Sequence, residues 1–180
     1  MKDYGSDGVI EFSDKSTETC VRFIVTEFLP HDLFDVCIRL GPMGEEAGKL
    51  FLNSVISVLD ELHTNGNSHG DLKLENIMLD KNFNMKLIDF GMASLKNINS
   101  LTVKCGTLQY MAPEILTNES YQGDKADLFA VGVILFMIVS GRPPYVSKAS
   151  DEDLYFSQLI RGNSQAFFKL HELQHLSCEC

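Results

Sequence analysis

Four side chains with chemical potential fall within six positions of the segment "HGDLKLEN": Asp71, Lys73, Glu75 and Asn76. An acid, an ammonium, a second acid and an amide are followed directly by Ile77, Met78 and Leu79, an apolar, strand-like run. Polar groups crowded against such a run form either a solvated turn or a reaction centre. The segment by itself leaves both readings open. A further carboxylate, Asp89 of "DFG", lies thirteen residues after Asn76, across a stretch that reads as a short hairpin.

The segment does not stand alone. After "DFG" (Asp89, Phe90, Gly91) come "CGTLQYMAPE" at 105–114, "DKADLFAVGVIL" at 124–135 and "GRPPY" at 141–145. Five motifs in this order and spacing resemble the eukaryotic protein kinases of the serine/threonine type, nearest the calcium/calmodulin-dependent-like members. The resemblance implies an α+β, protein-kinase-like fold over residues 1–180, mainly the helical large lobe with only the last strands of the small lobe. It puts a hinge at about 26–32, a catalytic loop at 69–76 and an activation segment at 89–114. The implied activity is ATP-dependent transfer of a phosphoryl group from Mg-ATP to a serine or threonine hydroxyl of a protein.

Phosphoryl transfer asks for positioning and charge neutralisation more than covalent chemistry. By the resemblance, Asp71 orients the substrate hydroxyl and accepts its proton, and Lys73 meets the charge developing on the γ-phosphate. Asn76 and Asp89 supply oxygen ligands to Mg²⁺, a hard cation suited to carboxylate and amide oxygens. Thr26 stands at the gatekeeper place, backbone groups of Glu27, Phe28 and Leu29 read adenine, Asp32 meets the ribose, and Met78 forms the floor beneath the base. Lys73 with Thr107 of "CGT" marks the serine/threonine branch. Glu75 matches a position that often meets a basic substrate residue, and a solvated surface acid is the competing reading. Asp127 is expected both to cap the central helix and to bond back to the catalytic loop, and Glu114 of "APE" corresponds to a buried ion-pair partner.

Several positions depart from the family pattern. Gly70 stands where the best-known members carry an arginine that clasps a phosphorylated residue, and Val103 occupies the usual phospho-threonine place. Both changes argue against switching by loop phosphorylation, although Ser100 and Thr102 are close by. Leu74 replaces a usual proline and Phe129 a usual tryptophan. No Gly-rich phosphate loop precedes Val21, and no strand lysine or αC glutamate can be assigned. The match is therefore expected to begin just before the hinge, with the domain truncated at both ends. The usual arginine partner of Glu114 is missing as well, which leaves Arg142 and Arg161 as replacements.

The elements that must position these groups are partly legible. "VRFIVTEF" (21–28) is β-branched and aromatic, hence a strand, and "LPHD" after it reads as a turn. Glu45 and Glu46 open a helix in which Leu52, Val55, Leu59 and Leu62 recur at helical spacing, and Asn65-Gly66 stops it. Ile77–Leu79 and 85–88 bracket a hairpin. Residues 89–114 show little periodicity, and a loop that long inside a compact domain is usually functional or mobile. Leu128–Val139 reads as a buried helix ended at "SGRPPY", and 151–161 as a further short helix.

Composition bounds the remaining possibilities. With 180 residues, 44% of them hydrophobic, the chain can build about one core. The formal charge of −10 offers no basic face for nucleic acid or an anionic membrane, so neither is expected as a partner. A protein substrate is expected, with a basic peptide the favoured class. The five cysteines are scattered without a CxxC pair, which suggests neither zinc nor a disulfide framework. The Cys-Glu-Cys terminus reads as an exposed, reduced tail. No secretory signal opens the chain, and the longest apolar run is too short to span a bilayer, so a soluble, cytoplasmic protein is expected. Three readings follow: an active kinase, alone or within a longer product; a pseudokinase acting as a binding or scaffolding module; and a truncated product that folds poorly. The intact Asp71, Lys73, Asn76 and Asp89 set favours descent from an active enzyme, whereas the absent strand lysine and phosphate loop argue against much activity in this chain by itself.

Overall fold

Two helices crossing in the core carry the frame of the molecule. The computed structural model describes residues 12–15 (backbone only), 24–96, 98–117 and 120–173. Helix α2 (Gly44–Thr64) buries Phe51, Val55, Leu59 and Leu62 at steps of four, four and three. Each such burial contributes about 1.5–3 kcal/mol. The sequence pattern puts Leu52 on this face; in the structure Phe51 takes the place, and Leu52 packs at the margin, half-buried. Gly66, at φ +76°, follows the last turn as the stop signal requires.

Helix α4 (Gly123–Ser140) is apolar all round and buries Ala130, Val131, Val133, Ile134 and Ile138, the signature of a helix enclosed by protein. It extends five residues ahead of the expected start. It crosses α2 closely at Gly48, where an added Cβ would lie 2.7 Å from Val139 Cγ2. The helix ends at Gly141, φ +71°, whose N–H bonds Met137 O.

Among the described residues there are five short strands. β1 (Phe12–Lys15) and β2 (Ile24–Thr26) form an antiparallel ribbon. β3 (His31–Asp32), β4 (Ile77–Leu79) and β5 (Met85–Leu87) form a second antiparallel sheet in that order. The hairpin β4–β5 is as expected, with Ile77 opposite Leu87, Met78 opposite Lys86 and Leu79 opposite Met85. Asp80 builds its turn by accepting the amides of Asn82 (2.7 Å) and Asn84 (2.9 Å). The reading of "LPHD" as a turn is corrected at its end: His31 and Asp32 pair with Leu79 and Met78. Only the tertiary partner makes that pair a strand. The strand read over 21–28 narrows to Ile24–Thr26 among the described residues.

Helix α1 (Leu33–Leu40) starts where Asp32 Oδ1 accepts the amide of Asp35 at 2.7 Å. Helix α3 (Pro113–Thr117) closes the long loop. The helix read over 151–161 shrinks to α5 (Phe156–Ile160), because Asp153 uses its carboxylate to fold 153–156 as a capped turn, accepting Tyr155 N and Phe156 N. Helix α6 (Ser164–Leu170) has no counterpart in the sequence reading; Asn163 caps it, and His171 just beyond it sits among Phe136, Tyr155 and Phe167. No helix among the described residues is long and apolar enough to cross a membrane. The Cys-Glu-Cys tail lies outside the described residues.

Candidate active site

A carboxylate in the core holds the loop on which the site is built. Asp127, 2% exposed in the second turn of α4, accepts His69 N at 2.8 Å, Gly70 N at 3.0 Å and the His63 ring at 2.9 Å. The backward bonds are those expected of it, but the capping role is not: the N-cap is Gln122. The helix starts earlier because Gly123 N bonds Ile98 O at 2.7 Å, which leaves Asp127 inside the helix with its side chain free to reach the loop.

His69 fixes the next joint. Its Nε2 lies 2.9 Å from Ile88 O, its Nδ1 lies 3.3 Å from Asp71 N, and Phe90 packs on the ring at 4.8 Å between centroids. Burial pushes its pKa down, against the opposing pull of the Ile88 carbonyl and of Asp127, Asp71 and Asp89. A neutral ring with its proton on Nε2 satisfies both contacts, donating to Ile88 O and accepting from Asp71 N.

Asp71, Lys73 and Thr107 form a closed set. Lys73 Nζ donates to Asp71 Oδ2 at 2.9 Å and to Thr107 Oγ1 at 3.2 Å, and Thr107 Oγ1 donates to Asp71 Oδ1 at 2.7 Å. Burial raises the Asp71 pKa, but the bonds from Lys73 and Thr107 and the lysine charge outweigh it, so the carboxyl titrates below its ordinary range. The same bond to Asp71 raises the Lys73 pKa. The pair is ionised at neutral pH.

Asn76, buried in a 3₁₀ turn at 74–76, donates Nδ2 to Asp71 O at 2.9 Å. With the nitrogen spent on the loop, the amide oxygen is the atom left for a cation. Ile88 N bonds Asn76 O at 3.0 Å, which brings Asp89 to the same end of the hairpin. Asp89 is exposed in the left-handed region (φ 58°, ψ 70°), steadied by Gly91 N on its Oδ1 at 3.2 Å. Two hard oxygen donors at one edge suit Mg²⁺, which commonly takes one or two protein oxygens and fills its octahedron with phosphate and water. Among the described residues no cluster of three or more His, Cys, Asp or Glu side chains could hold a metal.

The segment read as the hinge lies beside the three-stranded sheet. Phe28 is 88% exposed and Leu29 is buried. Asp32 and Met78 are cross-strand partners, with Oδ1 of Asp32 engaged in capping α1. Glu27 forms an ion pair with Lys86 at 3.2 Å. Sequence reasoning passes over Lys86 and the Thr107–Asp71 bond. The first is findable from the hairpin register, which sets Lys86 opposite Met78; the second depends on a loop fold that no local pattern encodes.

Comparison with known proteins gives the family. The family model for the protein kinase domain matches residues 1–179. This chain belongs to the protein kinase family. The kinase domain is 43% identical over 127 residues to probable serine/threonine-protein kinase 2 of Plasmodium falciparum, covering 68% of this chain and 25% of that protein. It is 37% identical over 134 residues to a probable serine/threonine-protein kinase, a KIN1 homolog of Encephalitozoon cuniculi, covering 73% and 23%. CBL-interacting protein kinase 32 of rice (Oryza sativa subsp. japonica) is 38% identical over 151 residues, covering 81% and 33%. The kinase domain thus spans between about a quarter and a third of the length of these relatives. The family match runs from residue 1, which corrects the expectation that it would begin just before the hinge. The family is one of enzymes, serine/threonine protein kinases by the names of the relatives, and its members act on protein substrates with ATP and Mg²⁺.

Proposed function

We propose that this chain binds Mg-ATP and transfers its terminal phosphoryl group to a serine or threonine hydroxyl of a protein. The observation that carries the reading is the closed set of Asp71, Lys73 and Thr107, with Asp71 ionised and one lysine bridging the other two. A substrate hydroxyl placed against Asp71 is oriented for attack and gives up its proton there; Lys73 lies beside it to balance negative charge on the transferred group. Asn76 and Asp89 would hold Mg²⁺, which neutralises phosphate charge when bound. The backbone of residues 27–29 would take the adenine, with Asp32 on the ribose and Met78 below the base.

Exposed Glu75 and the net charge of −10 support a basic peptide as substrate. The free thiols of Cys37 and Cys105 fit a reducing, cytoplasmic setting. The test is transfer from Mg-ATP to a basic serine peptide by the 180-residue chain, run beside nucleotide titration. Asp71→Asn is expected to abolish transfer and keep nucleotide binding; Asp89→Asn is expected to weaken binding only when Mg²⁺ is present. Undiminished transfer by Asp71→Asn would overturn the assignment.

A further inference from the structure

The ion pair between Lys86 and Glu27 joins two parts of the fold that are 59 positions apart in sequence. Lys86 stands opposite Met78, and Met78 stands opposite Asp32, so the three residues form one row across β5, β4 and β3. Antiparallel partners project to the same face of a sheet. Lys86 therefore shares its face with the residues expected to lie against base and ribose, while Leu87 beside it points into the core with no exposure. The Lys86 side chain is only 12% exposed, and an ammonium so covered requires a carboxylate. Glu27, 28% exposed, supplies it. Residues 27–30 belong to no strand or helix, so side-chain ties such as this one fix where their backbone lies. The carbonyl of Glu27 is itself touched by Thr26 Oγ1 at 3.3 Å.

We propose that Lys86 is a positioning residue for the nucleotide: its pairing with Glu27 locks the 27–29 backbone to the floor hairpin. The assignment of that backbone to adenine rests on the function proposed above, whereas the locking does not. Lys86 stands apart from the Asp71, Lys73 and Thr107 set. Its loss should therefore weaken binding of ground state and transition state alike, raising KM for ATP with kcat little changed.

The experiment compares the 180-residue chain with Lys86→Met, Lys86→Arg and Glu27→Gln, using amide hydrogen exchange without nucleotide and calorimetric titration with Mg-ATP. In Lys86→Met and Glu27→Gln, exchange at residues 27–29 should quicken by about tenfold or more while residues 69–76 keep their protection. Mg-ATP affinity should fall by about fivefold to tenfold in both, and Lys86→Arg should restore both readouts. Hinge amides no faster than in the parent, or protection lost equally across 69–76, overturns the proposal. If Lys86→Met does not fold, Glu27→Gln, which keeps shape and removes one charge, decides the matter by the same two readouts. A parent chain that binds no Mg-ATP while the variants loosen residues 27–29 would sink the nucleotide reading and leave the lock standing. Normal nucleotide binding with an unaltered hinge would do the reverse.

Discussion

The α-carbon of Gly70 lies against the backbone of Met92 so closely that an added Cβ would sit 2.5 Å from the Met92 carbonyl oxygen. The loop of residues 69–76 and the start of the 89–114 segment meet here without room for any side chain stem. Gly70 also has φ +80°, where a Cβ is strained whatever the space. Introducing arginine, to recreate the phosphate clasp seen in better-known kinases, is therefore expected to damage this fold. Gly70→Ala and Gly70→Arg should each cost about 1–3 kcal/mol. That corresponds to a melting temperature lower by at least about 2–4 °C for a chain of this size. Equal melting of parent and variants would show that Met92 moves aside freely.

The 89–114 segment is fastened by contacts that need no phosphate. Ser68 and Ser94 exchange backbone hydrogen bonds at 3.1 and 3.0 Å, and Leu101 and Tyr121 do the same at 2.8 and 2.9 Å. Tyr121 also donates its hydroxyl to Val103 O at 2.9 Å, and Lys104 Nζ bonds Leu116 O at 2.7 Å. Phosphatase treatment is expected to leave the transfer rate unchanged. A large fall in rate would mean that exposed Ser100 or Thr102 carries a phosphate that the segment depends on.

Acid should destabilise the domain through two buried histidines. Burial lowers the pKa of His69 and of His171 from the ordinary value of 6.5, so the unfolded chain takes up protons first as the pH falls. Stability rises with pH wherever the unfolded state binds more protons, so it must decline as the pH drops through 6.5. Urea midpoints at pH 7.5 and 5.5 should show the loss. His171→Gln keeps a donor for Pro144 O, now contacted by the His171 ring at 3.0 Å, and should flatten part of the slope. An identical slope in that variant would remove His171 from the account.

Glu114 is half-buried, and among the described residues no ion pair engages it. The two arginines considered as partners are elsewhere: Arg142 donates to His171 O at 3.3 Å, and Arg161 is exposed. Removing one partner of a buried pair costs about 3–5 kcal/mol, but here there is no such pair to break. Glu114→Gln is thus expected to melt at the same temperature as the parent or higher. A fall of several degrees would reveal a cation outside the described residues.

Motif residues are the most legible part of this chain, because chemistry fixes both their type and their spacing. Asp71, Lys73, Asn76 and Asp89 can be singled out before any coordinate, and the structure gathers them between one helix end and one hairpin. Elements with strong local period are also readable: α2 by its apolar stripe, β4–β5 by its bracketed turn. What escapes are features made by tertiary partners. His31 and Asp32 look like a turn until β4 pairs with them, and Asp127 looks like a cap until the helix is seen to begin at Gly123. Helix α6 has seven residues, too few to show a period, and owes its place to the aromatic surroundings of His171. The hairpin register sets Lys86 opposite Met78, but nothing near it in sequence reveals its partner Glu27.

Asp127 has one consequence for how this molecule comes apart. His69 and Gly70 are loop residues by shape, yet their amides end on a carboxylate embedded in the most enclosed helix of the fold. Opening the loop alone would take two of its three hydrogen-bond partners from that buried carboxylate and leave the His63 ring. Energetically the loop therefore belongs to the same cooperative unit as α2 and α4, and a protease reaches it only when the whole domain unfolds.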